Sequence, residues 1–401
     1  MNPHAASRAP IRITPGPRTA AEFEAFAHDI DQLRVEFKAS LNESDSRYIK
    51  GVLYLIRGLE SAGRALLTLA ALGWPIGLLG AVLLGLSKCI DNMEFGHNVM
   101  HGQYSWLNDP RFEGLTADWD TICSKQSWQE SHNHMHHYYA NVEGIDRDFG
   151  YGFLRLSSDT PWEPRHAVQA VYMVIVAALF EWAIGIHHMA FDRLRDDREA
   201  TKANIARLWP ASRAKMWRQV KKDYLLWPLL GGVAGLALGQ GFWAGVGASL
   251  LGHVAANVIR NLWTFVTIFC GHFTDQVHTF DPADLPGESK GQWYLRQCLG
   301  SANIQGGKVF NFMTGHLSHQ IEHHLFPDLP SRRYAQFEPR VREICARHGV
   351  PYNTGRLSRQ FATVMWRVLR HSFPGGHSPM SRPATALQAT SSDTLVTQRT
   401  A

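Results

Sequence analysis

Histidine is concentrated in three short windows of the sequence, and their spacing constrains the chain more than any other feature. The chain has 401 residues and 21 histidines, and ten of these lie in windows 97–101, 132–137 and 316–324. Neutral imidazole is the commonest side-chain ligand of transition metals. Because none of the windows lies at a terminus, we expect distant segments to converge on one multinuclear metal site.

The spacing within the first two windows predicts metal ligands carried by helices. Residues four apart lie on one face of a helix, since each residue advances by about 100°. His97 and His101 should therefore point the same way, and so should His132 and His136. His137 follows His136 closely enough to reach a second metal ion at the same site.

Helical geometry also sets one histidine apart and groups the third window. His134 should point away from the site, because it lies about 200° from His132 around a helix. The third window predicts one helix face that carries five side chains: His316, His319, Gln320, His323 and His324.

The order H-x-x-x-H, H-x-x-x-H-H and Q-x-x-H-H resembles the three histidine boxes of membrane fatty acid desaturases. The flanking segments 96–102, 146–148 and 319–327 are similar to that family as well, and the likeness runs from about residue 45 to 370. It is greatest for bacterial acyl-CoA or acyl-lipid desaturases. Gln320 stands where stearoyl-CoA-type desaturases have a histidine. Front-end desaturases and some bacterial enzymes share this glutamine, so it does not settle which carbon is attacked.

This resemblance implies an all-α, polytopic membrane protein with a di-iron site. About four transmembrane helices would form two hairpins, and a cytosolic helical cap would hold two iron ions that use molecular oxygen as co-substrate. His272 is similar to a ligand at the end of the family's last membrane helix, and Gln320 either replaces His319 or lies behind the ligands. The implied metal ligands are His97, His101, His132, His136, His137, His272, His319, His323 and His324.

A second set of side chains is expected to support these ligands from behind. Asn261 lies eleven residues before His272, on the same helix face, and can support a ligand through water. Carboxylates can accept the second ring N–H of a ligand histidine. The alternative for each acid is a surface or helix-capping role. The candidates are Glu94, Asp146, Asp148 and Glu322.

Apolar segments predict the first membrane hairpin. Residues 65–86 carry no charge, and a segment of this length can cross a bilayer. Pro75, a residue suited to the first turn of a helix, divides the region into arms near 53–73 and 75–95. The alternative is a single span over 65–86, which would place the first window on the far side from the N-terminus.

The segments between the second and third windows predict a second hairpin. Residues 224–239 and 242–271 are its arms. Residues 168–190 are expected to be re-entrant or interfacial, because an odd number of crossings would separate the windows. Residues 191–223 carry ten Lys and Arg, which places them in the cytosol by the positive-inside rule. The active site would therefore face the cytosol, from the inner membrane if the source is bacterial.

The chain divides into three parts by composition. Residues 1–45 are expected to form an N-terminal cytosolic tail and an amphipathic helix, 46–372 the membrane desaturase domain, and 373–401 a disordered tail. The helix has apolar residues at helical spacing, namely Phe23, Phe26, Ile30, Leu33 and Phe37.

The expected reaction is the oxygen-dependent introduction of a cis double bond into a long-chain acyl-CoA or acyl-lipid. One alternative is a membrane di-iron hydroxylase of alkanes or carotenoids, although the third box typical of the alkane branch is absent. Another is a histidine-rich metal transporter, which would need ligands within its spans. The net charge of +5 comes without a basic stripe interleaved with aromatics, which argues against nucleic acid as a partner.

Electrons are expected from a separate ferredoxin- or flavin-type donor. The five cysteines show no cluster spacing, and no Gly-rich dinucleotide fingerprint follows a predicted strand. Basic residues near the windows are candidates to attract an acidic partner or the phosphates of CoA; lipid headgroups are the alternative. They are Arg147, Arg155, Lys308, Arg332 and Arg333.

Overall fold

The computed structural model describes residues 18–189 and 198–375, and these are largely helical. Of the expected terminal parts 1–45 and 373–401, residues 1–17 and 376–401 lie outside the described residues. Two short strands, β1 (Asn303–Gln305) and β2 (Thr354–Arg356), pair in parallel with Ile304 opposite Gly355. The helical class predicted from sequence is therefore confirmed.

The α-helices follow one another along the chain with short connections. They are α1 (Ala20–Ala39), α2 (Glu43–Thr68), α3 (Trp74–Ile90), α4 (Asn98–Met100), α5 (Lys125–Trp128), α6 (His137–Tyr139), α7 (Gln169–Ala178), α8 (Phe180–His187), α9 (Arg198–Val220), α10 (Trp227–Ala237), α11 (Phe242–His272), α12 (Lys290–Leu299), α13 (Lys308–Met313), α14 (Gln320–Leu325), α15 (Tyr334–Arg347) and α16 (Leu357–His371). Three π-helical segments join some of them, at Asp91–His97, Gln129–His136 and Lys221–Leu226.

Two of the described helices are long and apolar enough to cross a membrane. One runs from Trp74 to Met100 and the other from Phe242 to His272. A third crossing is available only if the pair Pro164–Ala178 and Phe180–His187, which bends by 100°, counts as one broken span. The structure therefore supports two or three crossings, and the count of four predicted from sequence is not confirmed.

The two predicted hairpins are present as packed helix pairs. In the first, α2 lies against α3, and a Cβ atom at Gly63 would come within 2.7 Å of the Leu84 backbone nitrogen. In the second, α10 lies against α11, and a Cβ atom at Gly231 would lie 2.6 Å from the Ser249 side chain. Small residues at these crossings let the helix backbones approach closely, as is common between membrane helices.

The segment expected to be re-entrant or interfacial is bent within its described part, which fits either a re-entrant loop or a broken span. The break lies between α7 and α8, where the Asn261 side chain of α11 donates to the Ala178 carbonyl at 2.7 Å and accepts from the Glu181 amide at 3.2 Å. Backbone groups freed at membrane depth need such partners. Asn261 thus stabilises the bend, and its expected support of a ligand through water stays a prediction.

The amphipathic helix predicted near the N-terminus is confirmed as α1, whose apolar face is buried. Phe23, Ile30 and Phe37 pack into a core shared with α12, α14 and α15. α14 carries the last part of the third histidine window. The packing of α1 into this core therefore supports α14, which carries His323 and His324.

Candidate metal centre

Two adjacent clusters of imidazole rings lie where the three histidine windows meet the end of α11. Within each cluster the candidate ligand atoms lie within 4.8 Å of one another. The first cluster consists of His97, His101, His132 and His323, and the second consists of His136, His272 and His324.

His137 lies between the two clusters. Its Nε2 atom is 3.1 Å from Nε2 of His323 in the first cluster. Its ring stacks on His324 of the second cluster, with centroids 4.4 Å apart. His134 is exposed and belongs to neither cluster, as its spacing predicts. Eight of the nine expected ligands therefore converge.

The first two windows are π-helical where α-helix was expected. The segment Asp91–His97 ends at the first ligand, and Gln129–His136 carries His132 and His136. A π-helical turn is wider than an α-helical one and is frequent at functional sites. The rings of His132 and His136 stack with centroids 5.0 Å apart, yet they join different clusters. The two rings therefore point the same way, as their spacing predicts, but belong to different clusters.

The third window does not form a single helix face. His316 has a positive φ of 57° and precedes α14, which begins only at Gln320. Nδ1 of His319 lies 3.5 Å from Glu338, and its Nε2 lies 3.2 Å from the Asn311 amide. The left-handed turn at His316 therefore directs His319 away from both clusters, which corrects the nine-ligand expectation.

Gln320 approaches the second cluster in place of His319. Its Nε2 atom lies 2.7 Å from Nε2 of His272. Since an amide binds metal through oxygen and not through nitrogen, a rotation of the amide by half a turn would present a donor to an ion at this position. Gln320 is thus the side chain that completes the ring of polar atoms around the second cluster.

Two predicted carboxylates lie within hydrogen-bond distance of the Nδ1 atoms of ligand histidines. Asp146 lies 3.0 Å from Nδ1 of His136, and Asp148 lies 3.2 Å from Nδ1 of His132. A carboxylate only accepts, so each Nδ1 carries the hydrogen and each Nε2 keeps its lone pair for the cluster. This arrangement orients both rings before any ion binds.

Four further partners of the rings were missed by sequence reasoning. Asn98 directly follows a ligand, whereas nothing in the sequence connects the remaining three with the histidine windows. Each lies near the Nδ1 atom of one histidine. The distances are 3.1 Å from Asn98 to His97, 2.8 Å from Gln297 to His324, 3.4 Å from the Gly300 carbonyl to His272, and 3.5 Å from Tyr334 to His323.

The other two predicted carboxylates have different partners. Glu94 accepts from the Tyr48 hydroxyl at 2.7 Å, and Glu322 accepts from the Asn303 amide at 2.8 Å. Burial raises the pKa of Glu322 to about 7. Neither carboxylate contacts a ring of the two clusters, so their expected role behind the ligands is wrong.

Three rings of the clusters lie in surroundings that favour the neutral form of imidazole. Burial first, and neighbouring imidazoles second, hold the pKa of His101, His323 and His324 well below the usual value. A neutral imidazole carries the lone pair that a metal needs. The environment thus keeps these side chains in their metal-binding form.

The arrangement of nitrogen atoms fits metal ions. Nε2 of His101, Nε2 of His132 and Nδ1 of His137 are buried and have no hydrogen-bond partner within the described part of the chain. Such orphaned buried atoms each cost about 1–3 kcal/mol. Imidazole-rich sites suit iron, zinc, copper and nickel, and an ion in the first cluster would satisfy the lone pairs of His101 and His132.

An apolar pocket opens directly onto both clusters. His97 and His132 of the first cluster line it together with His136 and His272 of the second. Most of the wall surface is apolar and includes the side chains of Trp119, Phe180, Ile184 and Ile268. An extended apolar molecule in this pocket would have one stretch held against the histidines and the rest shielded from water.

Most of the basic residues expected to attract a partner are engaged within the chain. Arg333 forms a buried ion pair with Asp45 at 2.7 Å, and Arg332 lies 3.2 Å from the same carboxylate. Arg155 donates to the Thr160 carbonyl at 2.7 Å. The contacts of Arg332 and Arg333 hold the segment before α15 against α2, whereas Arg155 is held by a nearby loop carbonyl. All three arginines are therefore engaged within the chain. Lys308 remains exposed.

Comparison with known proteins gives one consistent result. The family model for fatty acid desaturase matches residues 72–356. A protein of Mycobacterium tuberculosis named NADPH-dependent stearoyl-CoA 9-desaturase is 43% identical over 356 residues, which cover 88% of this chain and 80% of that protein. The sn-1 linoleoyl-lipid 6-desaturase of Synechocystis is 26% identical over 330 residues, covering 80% of this chain and 87% of that protein. The chain therefore belongs to the fatty acid desaturase family and is an oxidoreductase that acts on fatty acyl chains.

Proposed function

We propose that the chain introduces a cis double bond at carbon 9 of a long-chain acyl-CoA, with two iron ions held by the two histidine clusters. The observation that carries this proposal is the pair of imidazole clusters facing one apolar pocket. The relative named stearoyl-CoA 9-desaturase supports the acyl-CoA substrate and the position. The hydroxylase and transporter alternatives have no such support.

The metal ions supply chemistry that side chains lack. Two iron ions with molecular oxygen provide an oxidant strong enough to break unactivated C–H bonds, which side-chain acid–base catalysis cannot do. The chain itself binds and orients. Asp146 and Asp148 fix the rings of His136 and His132, while the apolar walls of the pocket exclude water and hold the acyl chain in extended form.

The membrane arrangement that fits this function has four crossings. α2 with α3 and α10 with α11 would form two hairpins, and the bent pair α7 and α8 would enter the bilayer without crossing it. Buried ion pairs support this arrangement, since Arg64 of α2 pairs with Glu60 and, at 3.0 Å, with Asp223. Both ends of each hairpin then lie in the cytosol with the histidine clusters.

Electrons must enter from outside the described chain. Reduction of oxygen to two waters takes four electrons, of which the substrate supplies two when it loses two hydrogens. We propose that a separate ferredoxin- or flavin-type carrier supplies the other two. The name of the mycobacterial relative points to NADPH as their source.

Product analysis tests this proposal. The purified enzyme is incubated with stearoyl-CoA, oxygen, NADPH and a reductase system, and the products are examined by gas chromatography with location of the double bond. We expect oleoyl product only when the carrier is present. A parallel incubation with stearoyl phospholipid tests the acyl-lipid alternative. A hydroxylated product would overturn the proposal in favour of a hydroxylase, and turnover without a carrier would overturn the external electron supply.

A further inference from the structure

We propose that one face of α11 measures the acyl chain beyond the reacting carbons, and that a buried ion pair between Arg260 and Glu181 closes the pocket. This inference rests on the proposed function, because it assumes that the pocket beside the histidine clusters takes the acyl chain. It assigns chain-length selection to named residues of α11 and of the bend between α7 and α8.

Four residues on α11 form a row that starts at the metal centre. His272, Ile268, Thr264 and Arg260 are spaced four apart, so they lie on one face of the helix. All four line the pocket. At 1.5 Å of rise per residue each step is about 6 Å, and the row extends about 18 Å from the second cluster. The pocket therefore runs along the helix away from the histidines.

The far end of this row is charged and firmly held. Arg260 is 1% exposed and forms an ion pair with Glu181. Its remaining donors reach the Asn261 side chain at 2.9 Å and the Asp120 carbonyl at 3.1 Å. Glu181 also accepts from the Ile122 amide at 2.9 Å. A methyl group pressed against this end would have to break a buried network of an ion pair and hydrogen bonds, which is strongly unfavourable.

The direction of the row shows which end of the substrate meets the ion pair. His272 is the last residue of α11, whereas Arg260 lies twelve residues earlier, within the helix that is long and apolar enough to cross a membrane. The phosphates of CoA cannot be buried at that depth without partners. The thioester end must therefore remain on the side of His272 that faces away from Arg260. The carbons beyond the new double bond then lie along Ile268 and Thr264 towards Arg260.

Thr264 is the position on this row where the pocket is easiest to shorten. Its hydroxyl oxygen is buried and has no hydrogen-bond partner in residues 18–189 and 198–375, so its replacement breaks no contact of that atom. Ile268 lies one turn nearer to the histidines. A phenylalanine at either position would fill the pocket at a different distance from the metal centre.

The test compares Thr264→Phe and Ile268→Phe on a series of saturated acyl-CoAs from myristoyl to arachidoyl. We expect the longest accepted chain to fall in both variants, and to fall further for Ile268→Phe because it blocks the pocket one turn earlier. The value of kcat/KM should drop by roughly tenfold for each methylene that no longer fits. Thr264→Ala adds space and should raise the ratio of arachidoyl to stearoyl turnover.

The matched control is Leu262→Phe, two residues from Thr264 on the same helix, because its side chain is 43% exposed and does not line the pocket. It should keep the wild-type chain-length profile. If the wild type desaturates none of the series, the proposed function fails. If it is active but both phenylalanine variants keep its chain-length limit, this inference is overturned. If they lose their iron and all activity, Thr264→Ala decides, and an unchanged arachidoyl ratio overturns the inference.

Discussion

The two histidine clusters differ in the number of rings they contain and in how those rings are anchored. The first cluster has four imidazoles, and three of them come from the first two windows. The second has three, one of which is His272 at the end of the membrane helix α11. In the second cluster the amide of Gln320 occupies the place of a fourth ring, 2.7 Å from His272.

Two ions bound in these clusters would therefore be held unequally. A cluster with four nitrogen ligands can lose one and keep three, whereas a cluster with three would be left with two. The second cluster also depends on the position of α11, whose inner face is the wall of the pocket. We therefore expect it to be the weaker metal site and the one more closely coupled to substrate binding.

The largest effect should come from removing one ring of the second cluster. His272→Ala leaves two rings there, so the protein should lose one of its two ions and its activity should fall by more than about 100-fold. The matched variant His101→Ala leaves three rings in the first cluster and should retain more iron. Iron analysis beside activity assays checks both. Equal iron loss in the two variants would contradict the inequality of the clusters.

Removing the carboxylates behind the rings should have the next largest effect. Asp146→Asn and Asp148→Asn each replace an acceptor that fixes a histidine tautomer, and loss of such a partner typically lowers metal affinity or activity by about 10–100-fold. Glu322→Gln is the control, since that carboxylate contacts Asn303 and no ring of either cluster. Metal titration of the apo-protein measures the affinities. An Asp146→Asn variant with wild-type affinity would contradict the role of that contact.

Substitutions of Gln320 should change metal binding at the second cluster and leave the first cluster unaffected. Gln320→His supplies a fourth imidazole and should slow the release of one ion to a chelator, while Gln320→Ala should speed it. The size of these effects should be smaller than those of the carboxylate variants, because the glutamine does not fix a ring. The release of iron is followed by absorbance of the chelator complex. Identical release curves for the two variants and the wild type would exclude a contribution from this side chain.

The smallest effects should come from histidines that the structure places outside the clusters. His134 is exposed, and its replacement by alanine should change the free energy of unfolding by no more than about 0.5 kcal/mol. His319→Ala loses its contacts with Asn311 and Glu338 and should lower the melting temperature while leaving the iron content unchanged. Loss of iron in His319→Ala would return this residue to the ligand set.

The spacing of the histidine windows, together with the family resemblance that adds His272, predicted eight of the histidines that converge. The sequence also predicted the partners Asp146 and Asp148, which lie ten and sixteen residues from the rings they hold. It failed where backbone geometry departs from α-helix. The π-helical turn at Gln129–His136 divides two rings between clusters, and the left-handed turn at His316 removes His319. Neither feature has a residue pattern that spacing rules recognise.

The membrane region shows the same limit. Charge and hydropathy predicted the two helix pairs, whereas the predicted count of four crossings is not confirmed. The role of Asn261 could not be predicted, because helical phase places it below His272 while its amide turns to the Ala178 carbonyl at the bend. Whether a polar side chain on a membrane helix supports a ligand or a neighbouring backbone depends on packing between distant segments. Periodicity within one helix does not contain that information.

The most direct test of the account is the iron content of the wild type beside that of His272→Ala. Both proteins are purified anaerobically in detergent, and iron is counted per chain and examined by Mössbauer spectroscopy. We predict one ion in each cluster of the wild type, in two distinguishable nitrogen environments. The variant should lose one of these environments. A single iron environment in the wild type, or loss of all iron in the variant, would contradict two separately held ions.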